Sequence, residues 1–221
     1  MKTNTLKQIE LTVVKSLATF ALAVLANAAA FAAEAIRYEA TTTGNKCTIT
    51  GASGDSALSH DWTMESPMIG GYIEADEKFP EAATADASAA KPVVYVKMPV
   101  RTFKSGKDTM NERMQIMMKA TQFANIEYRL VELKPKSKAG ATGALEFEAV
   151  GTLAIAGKTN TCTMLVTIEK KDTKLVIKGS APIKMTTYGI TPKVSLPILG
   201  DISIKDEVKI DFEWQLAKKV K

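Results

Sequence analysis

The sequence predicts an all-β, mainly antiparallel domain with one short amphipathic helix. Three observations lead to this class. Most of the chain alternates apolar and polar residues, turn residues separate the alternating stretches, and one segment changes to a helical period. Because strands and helices do not alternate along the chain, the strands should pair antiparallel in a barrel or a sandwich.

The alternation is clearest in two stretches of the second half of the chain. Residues 161–169 carry apolar side chains at every second position, and so do residues 208–215, from Val208 to Trp214. Strands of this kind have one face on a core and one face in water. The other strand candidates are residues 35–42, 46–51, 62–74, 93–103, 126–133, 145–155 and 174–179.

One segment, Asp108 to Ala120, has the period of a helix. Its methionines recur at i, i+4, i+7 and i+8, starting from Met110, which is the apolar stripe of an amphipathic helix. Two interpretations are open. The stripe packs against the sheet as part of the core, or its flexible thioethers form an adaptable wall for an apolar ligand.

The amino terminus has the three parts of a secretory signal peptide. Lysines precede an apolar stretch at residues 17–25, and Ala30-Phe31-Ala32 has the form that signal peptidase cleaves. The apolar stretch is shorter than the roughly 20 residues of a membrane span. We therefore predict a signal peptide at residues 1–32, cleaved near Ala32, and one mature domain at residues 33–221. The mature domain should be periplasmic or secreted, without stable membrane insertion.

The basic balance of the chain does not indicate a nucleic-acid partner. The chain has 29 Lys and Arg against 24 Asp and Glu. Its basic residues alternate with acidic ones, as in residues 169–172, instead of forming a block with interleaved aromatics. This pattern is typical of a solvated surface of mixed charge.

The residues that could carry chemistry are few. Cys47 and Cys162 are a possible disulfide in an oxidising compartment, although both lie in predicted strands where buried free thiols are equally common. Two thiols and the only histidine, His60, do not complete a tetrahedral zinc site. No hydrolase, phosphate-loop or metalloprotease motif occurs. We therefore predict neither catalysis, nor a metal, nor a cofactor.

A small antiparallel β domain of this kind has two functional interpretations. A barrel of about eight strands encloses one apolar ligand, and its walls are formed by alternate residues of each strand. An inert structural or adhesive β domain fits the same pattern, because a fold does not fix a function.

Several motifs resemble those of the YceI-like, polyisoprenoid-binding family. The similar stretches are Gly151 to Thr159, Ile183 to Ile190, Asp206 to Glu213 and His60-Asp61-Trp62. The segment from Ser105 through the methionine helix to Tyr128 is similar to the family's helix-then-strand element. The chain departs from the commoner pattern in its two cysteines, the extra Ser59, an insertion after Phe79, and Tyr188 where the family often has Phe.

The resemblance implies a lipocalin-like, eight-stranded barrel that a helix closes and that holds a long apolar molecule in its lumen. That molecule would be a polyisoprenoid, an isoprenoid quinone or a similar lipid, bound by a monomer or a dimer. The expected lumen residues are Met98, Met114, Met117, Phe123, Tyr128, Met164, Val166, Phe212 and Trp214. A polar head would meet His60, Arg101 or Lys184 at the mouth. The alternative is a non-catalytic interaction or stress-protective barrel without a lipid.

Overall fold

The computed structural model describes residues 35–54, 60–85, 91–196 and 200–220. The predicted signal peptide lies outside these ranges. The strands are β1 Ile36–Ala40, β2 Lys46–Ser53, β3 His60–Ser66, β4 Gly70–Ala75, β5 Val93–Pro99, β6 Asn125–Pro135, β7 Leu145–Ile155, β8 Lys158–Lys171, β9 Lys174–Lys184, β10 Lys193–Leu196, β11 Gly200–Ser203 and β12 Glu207–Lys218. The helices are α1 Glu81–Ala85, α2 Asp108–Met117 and two 3₁₀ turns, Val100–Thr102 and Met185–Tyr188.

The strands close into an antiparallel barrel. Ten of them form one sheet in the order β1-β4-β5-β6-β7-β8-β9-β12-β2-β3, and β1 also pairs with β12. One edge of β12 is shared, because β2 pairs with Lys209–Glu213 and β1 pairs with Leu216–Lys218. The consecutive pairs β1/β2 and β3/β4 therefore each act as one interrupted strand. The wall has eight strands, which confirms the predicted eight-stranded, lipocalin-like class.

The period-two pattern places the apolar residues inside this wall. In β7 every odd-numbered position from Leu145 to Ile155 is buried, and the even-numbered positions are exposed or half-buried. In β6 the register shifts between Leu130 and Glu132, and Val131 at the shift is 71% exposed. After such a bulge the odd-numbered side chains of β6, instead of the even-numbered ones, face the interior. Leu133 is accordingly buried.

Helix α2 lies between β5 and β6, where the sequence predicted a helix. It begins at Asp108 and ends at Met117, three residues earlier than expected. Met118 is buried, and Met110, Met114 and Met117 are half-buried against the core. The buried Asn111 connects the helix to the preceding loop, since its Oδ1 accepts hydrogen bonds from Ser105 N at 2.8 Å and Ser105 Oγ at 3.0 Å.

Glycines at inward positions make room for aromatic rings inside the barrel. The Tyr128 ring lies over Gly151 of the adjacent strand, and Phe212 lies over Gly179, its register partner. A Cβ atom at Gly179 would lie 2.5 Å from Phe212 Cζ, and one at Gly151 would collide with the Arg129 carbonyl oxygen and the Tyr128 ring. Covering a strand glycine with an aromatic ring is a known device for stabilising β-sheets.

The contact at Gly151 predicts a loss of stability in Gly151→Ala. We expect the free energy of unfolding in urea to fall by about 1–3 kcal/mol, because the new methyl group overpacks a site bounded by backbone. Gly70→Ala is the matched control, since a Cβ there would lie 3.5 Å from its nearest neighbour, Lys97 Cγ. Equal stability of the two variants would contradict the close packing at Gly151.

Candidate ligand-binding lumen

The barrel interior contains an elongated apolar cavity of about 100 Å³. Its lining includes side chains of β4 to β9 and β12, and none of them is charged. On β8 the lining runs from Cys162 to Ile168, which is roughly 20 Å along a strand. The cavity is therefore long and narrow, and a ligand inside it would meet almost only hydrocarbon.

Six of the predicted lumen residues line this cavity: Met98, Tyr128, Met164, Val166, Phe212 and Trp214. They lie on β5, β6, β8 and β12, where strand alternation fixes the inward face. Other lining residues, such as Val94, Val96 and Ile177, were not anticipated individually. Along their strands these residues alternate in period two with other residues that face the lumen, such as Met98 on β5. This period is the sequence signal that would identify them as lining residues.

Three residues expected in the lumen lie elsewhere. Met114 and Met117 of α2 pack half-buried against the core without lining the cavity. Phe123 is 39% exposed, and its ring covers Gly157 in the turn between β7 and β8. The helical period identified an apolar face, but it contains no information about which part of the barrel that face meets.

The three residues expected at the mouth lie at separate positions around the barrel wall. His60 begins β3 and Lys184 ends β9, and β2 and β12 separate these two strands in the sheet. Arg101 follows β5 and donates a hydrogen bond to Gln115 Oε1 of α2 at 3.0 Å. All three are exposed and none lines the cavity.

The possible disulfide between Cys47 and Cys162 is not formed. Both thiols are free and buried, on β2 and β8. These strands lie three steps apart in the sheet, across β12 and β9, at about 4.8 Å per step, and a disulfide requires closer Cα atoms. Burial raises the pKa of Cys47 to about 12, with a smaller contribution from Asp211, and burial also raises the pKa of Cys162.

Two lining residues carry polar atoms that are buried within the protein and contribute no surface to the cavity. Tyr128 Oη and Trp214 Nε1 are buried and have no hydrogen-bond partner among the described residues. Burial raises the pKa of the Tyr128 hydroxyl, and the nearby Cys162 raises it further. The phenol therefore stays neutral, and none of the described lining residues carries a formal charge.

Ion pairs lie on the outer surface of the barrel. Lys46 and Glu65 pair at 2.6 Å between β2 and β3, and Lys178 pairs with Glu213 at 3.2 Å between β9 and β12. Within the described ranges, no cluster of three or more His, Cys, Asp or Glu residues is arranged to hold a metal ion. None of the helices described is long and apolar enough to span a bilayer.

Comparisons with known proteins agree with this architecture. A family model described as YceI-like domain matches residues 39–216. A polyisoprenoid binding domain from Saccharophagus degradans, described as implicated in plant cell wall breakdown, is 14% identical with a TM-score of 0.61, over 82% of this chain and 98% of that one. BcnA from Burkholderia cenocepacia is 17% identical with a TM-score of 0.59, over 80% and 98%. These structural similarities show the fold. A search of curated proteins finds no match.

The burial of both thiols predicts that neither reacts in the folded protein. Because the pKa of each thiol is raised, the reactive thiolate is scarce at pH 8, and iodoacetamide should leave Cys47 and Cys162 unmodified. In concentrated guanidinium chloride both should be labelled, as peptide mass analysis would show. Rapid labelling of the native protein, or a mass that corresponds to an oxidised pair, would contradict the buried, free thiols.

Proposed function

Because the chain belongs to the YceI-like family, we propose that it is a lipid-binding barrel that holds a long apolar molecule in its lumen. The molecule is a polyisoprenoid, an isoprenoid quinone or a lipid of similar shape. The structural similarity to a polyisoprenoid binding domain from Saccharophagus degradans supports this class of ligand.

The single observation that carries the proposal is the uncharged, elongated cavity. Each CH₂ group moved from water into such a lumen contributes about 0.8 kcal/mol. Binding therefore follows from burial of the chain, and few polar contacts are needed. The described lining residues present almost only hydrocarbon to the cavity, which supports the binding of an apolar molecule.

The size of the cavity restricts the shape of the ligand. Its volume of about 100 Å³ is below the roughly 300 Å³ at which typical ligand pockets begin. The ligand must be slender, and the flexible Met98 and Met164 side chains must adjust around it. A barrel filled by its own side chains, acting in protein interaction or stress protection, is the alternative that this small volume favours.

We also propose that the protein acts after export, in the periplasm or outside the cell. The support is the signal peptide predicted at residues 1–32. A long isoprenoid is almost insoluble in an aqueous compartment, so a barrel that shields it there would have a clear role. Export and binding thus belong to the same hypothesis.

Filling the lumen should abolish lipid binding. Ala149 is buried and lines the cavity, whereas Ala154 on the same strand faces outward. We expect Ala149→Phe to lower affinity for a long isoprenoid at least tenfold, measured by displacement of a fluorescent apolar probe. Ala154→Phe should bind as the wild type does. Circular dichroism would verify that both variants fold.

Two results would contradict the carrier function. One is a folded Ala149→Phe protein that binds isoprenoids as strongly as the wild type. The other is a wild-type barrel that refuses isoprenoids, quinones and fatty acids, which would favour the alternative of a self-filled barrel.

Export predicts a processed amino terminus. When the full-length chain is expressed in a bacterium with a periplasm, the protein in the periplasmic fraction should begin near Ala33, as intact mass and amino-terminal sequencing would show. Ala30→Asp together with Ala32→Asp should block cleavage and leave the longer form in the membrane fraction. A protein that stays uncleaved in the cytoplasm would contradict the proposed location.

A further inference from the structure

The segment that contains helix α2 is the most basic part of the barrel. Residues 101–119 hold five Lys and Arg residues and two acidic residues, Asp108 and Glu112, so their net charge is +3. The whole chain has 29 basic and 24 acidic residues, a net charge of +5. This short segment therefore carries three of the five excess positive charges of the chain.

The lysines of this segment keep their charge exposed. Lys104, Lys107 and Lys119 are all exposed, and none of them forms an ion pair within the described ranges. At the opposite end of the barrel, just after β6, Lys136 pairs with the Glu148 carboxylate at 3.3 Å. The positive charge around α2 is therefore available to an anionic partner.

Two large apolar side chains are exposed beside these lysines. Ile116 on α2 is 75% exposed, and Phe123, shortly before β6, is 39% exposed. Backbone hydrogen bonds connect the two, since Lys119 N donates to Ile116 O and Phe123 N donates to Lys119 O, both at 2.9 Å. Met114 packs against the core, and Ile116 projects roughly 200° around the helix from it, away from the barrel. We call Lys104, Lys107, Ile116, Lys119 and Phe123 the α2 surface.

The lumen reaches the end of the barrel where the α2 surface lies. Met98 is one residue before the end of β5, Ile183 is one residue before the end of β9, and both line the cavity. Four successive antiparallel pairings lead from β5 to β9, so these two strands run in the same direction and end on the same side. Helix α2 follows β5 on that side.

We propose that the α2 surface docks on an anionic phospholipid bilayer. The lysines are attracted to the phosphate headgroups, while Ile116 and Phe123 enter the boundary between headgroups and acyl chains. A bilayer offers an anionic layer with an apolar layer beneath it, which matches the two kinds of side chain on this surface. The inference goes beyond the proposed lipid binding, because it states where the barrel exchanges its ligand.

Co-sedimentation with lipid vesicles tests the docking. The protein would be purified from the periplasmic fraction and mixed with vesicles of phosphatidylcholine, or of phosphatidylcholine and phosphatidylglycerol in equal parts. We expect binding to the anionic vesicles to be about tenfold stronger or more, since each lysine near the surface contributes about fivefold. Sodium chloride at about 1 M, where the Debye length is about 3 Å, should remove most of this preference.

The apolar contact is tested with a matched pair of variants. Ile116→Asp should weaken binding to the anionic vesicles about fivefold or more, because it replaces an inserted side chain with a charge that the bilayer repels. Leu165→Asp is the control, since Leu165 is 64% exposed on β8 and the variant has the same net charge. Leu165→Asp should bind as the wild type does.

The position of the charge is tested in the same way. Lys104→Glu together with Lys107→Glu should weaken binding to the anionic vesicles about tenfold or more. Lys171→Glu together with Lys174→Glu makes an equal change of net charge at exposed positions flanking the β8–β9 turn, at the opposite end of the barrel. This control should lose much less binding. Circular dichroism would verify that all variants fold.

Two results would overturn the docking surface. One is a wild type that binds neither kind of vesicle, or binds both equally. The other is a loss of binding in the two control variants as large as in the α2 variants. Displacement of a fluorescent apolar probe by an isoprenoid, measured on the same wild-type protein, separates this proposal from lipid binding. A protein that binds isoprenoids but no vesicles would contradict the docking and leave the carrier function intact.

Discussion

The closure of the sheet at β12 is the constraint on which the rest of the structure depends. One edge of this strand pairs with β9 from Glu207 to Ala217, and the other edge is divided between β2 and β1. Closure removes the free edges that an open sheet would expose. It also forces the inward side chains of all eight wall strands into one shared interior. The lumen and its apolar lining follow directly from that closure.

What the interior can hold depends on the residues that leave space. Gly151 and Gly179 lack side chains at inward positions, and atoms of the Tyr128 and Phe212 rings occupy the space that a Cβ atom would take there. The remaining space is narrow and uncharged, which suits an extended hydrocarbon chain. The same packing buries the Tyr128 hydroxyl where none of the described residues accepts or donates a hydrogen bond to it.

Much of this architecture could be predicted from local pattern. Alternation in residues 161–169 and 208–215 correctly identified the inward faces of β8 and β12, because a strand's period ties each side chain to one face. The helical period also located α2. Long-range packing could not be predicted in this way. Met114, Met117 and Phe123 contact parts of the barrel other than the lumen, and Cys47 and Cys162 are kept apart by β12 and β9. The burial of Tyr128 Oη and Trp214 Nε1 without a hydrogen-bond partner among the described residues also depends on such packing.

The central claim is that the lumen carries a lipid, and native mass spectrometry of the exported protein tests it most directly. The protein would be purified without detergent, its intact mass measured, and its organic extract analysed in parallel. The account predicts a fraction of the protein with one added molecule, which the extract identifies as a long apolar compound. Protein that carries no added mass, and that stays unbound after incubation with isoprenoids, quinones and fatty acids, would contradict it.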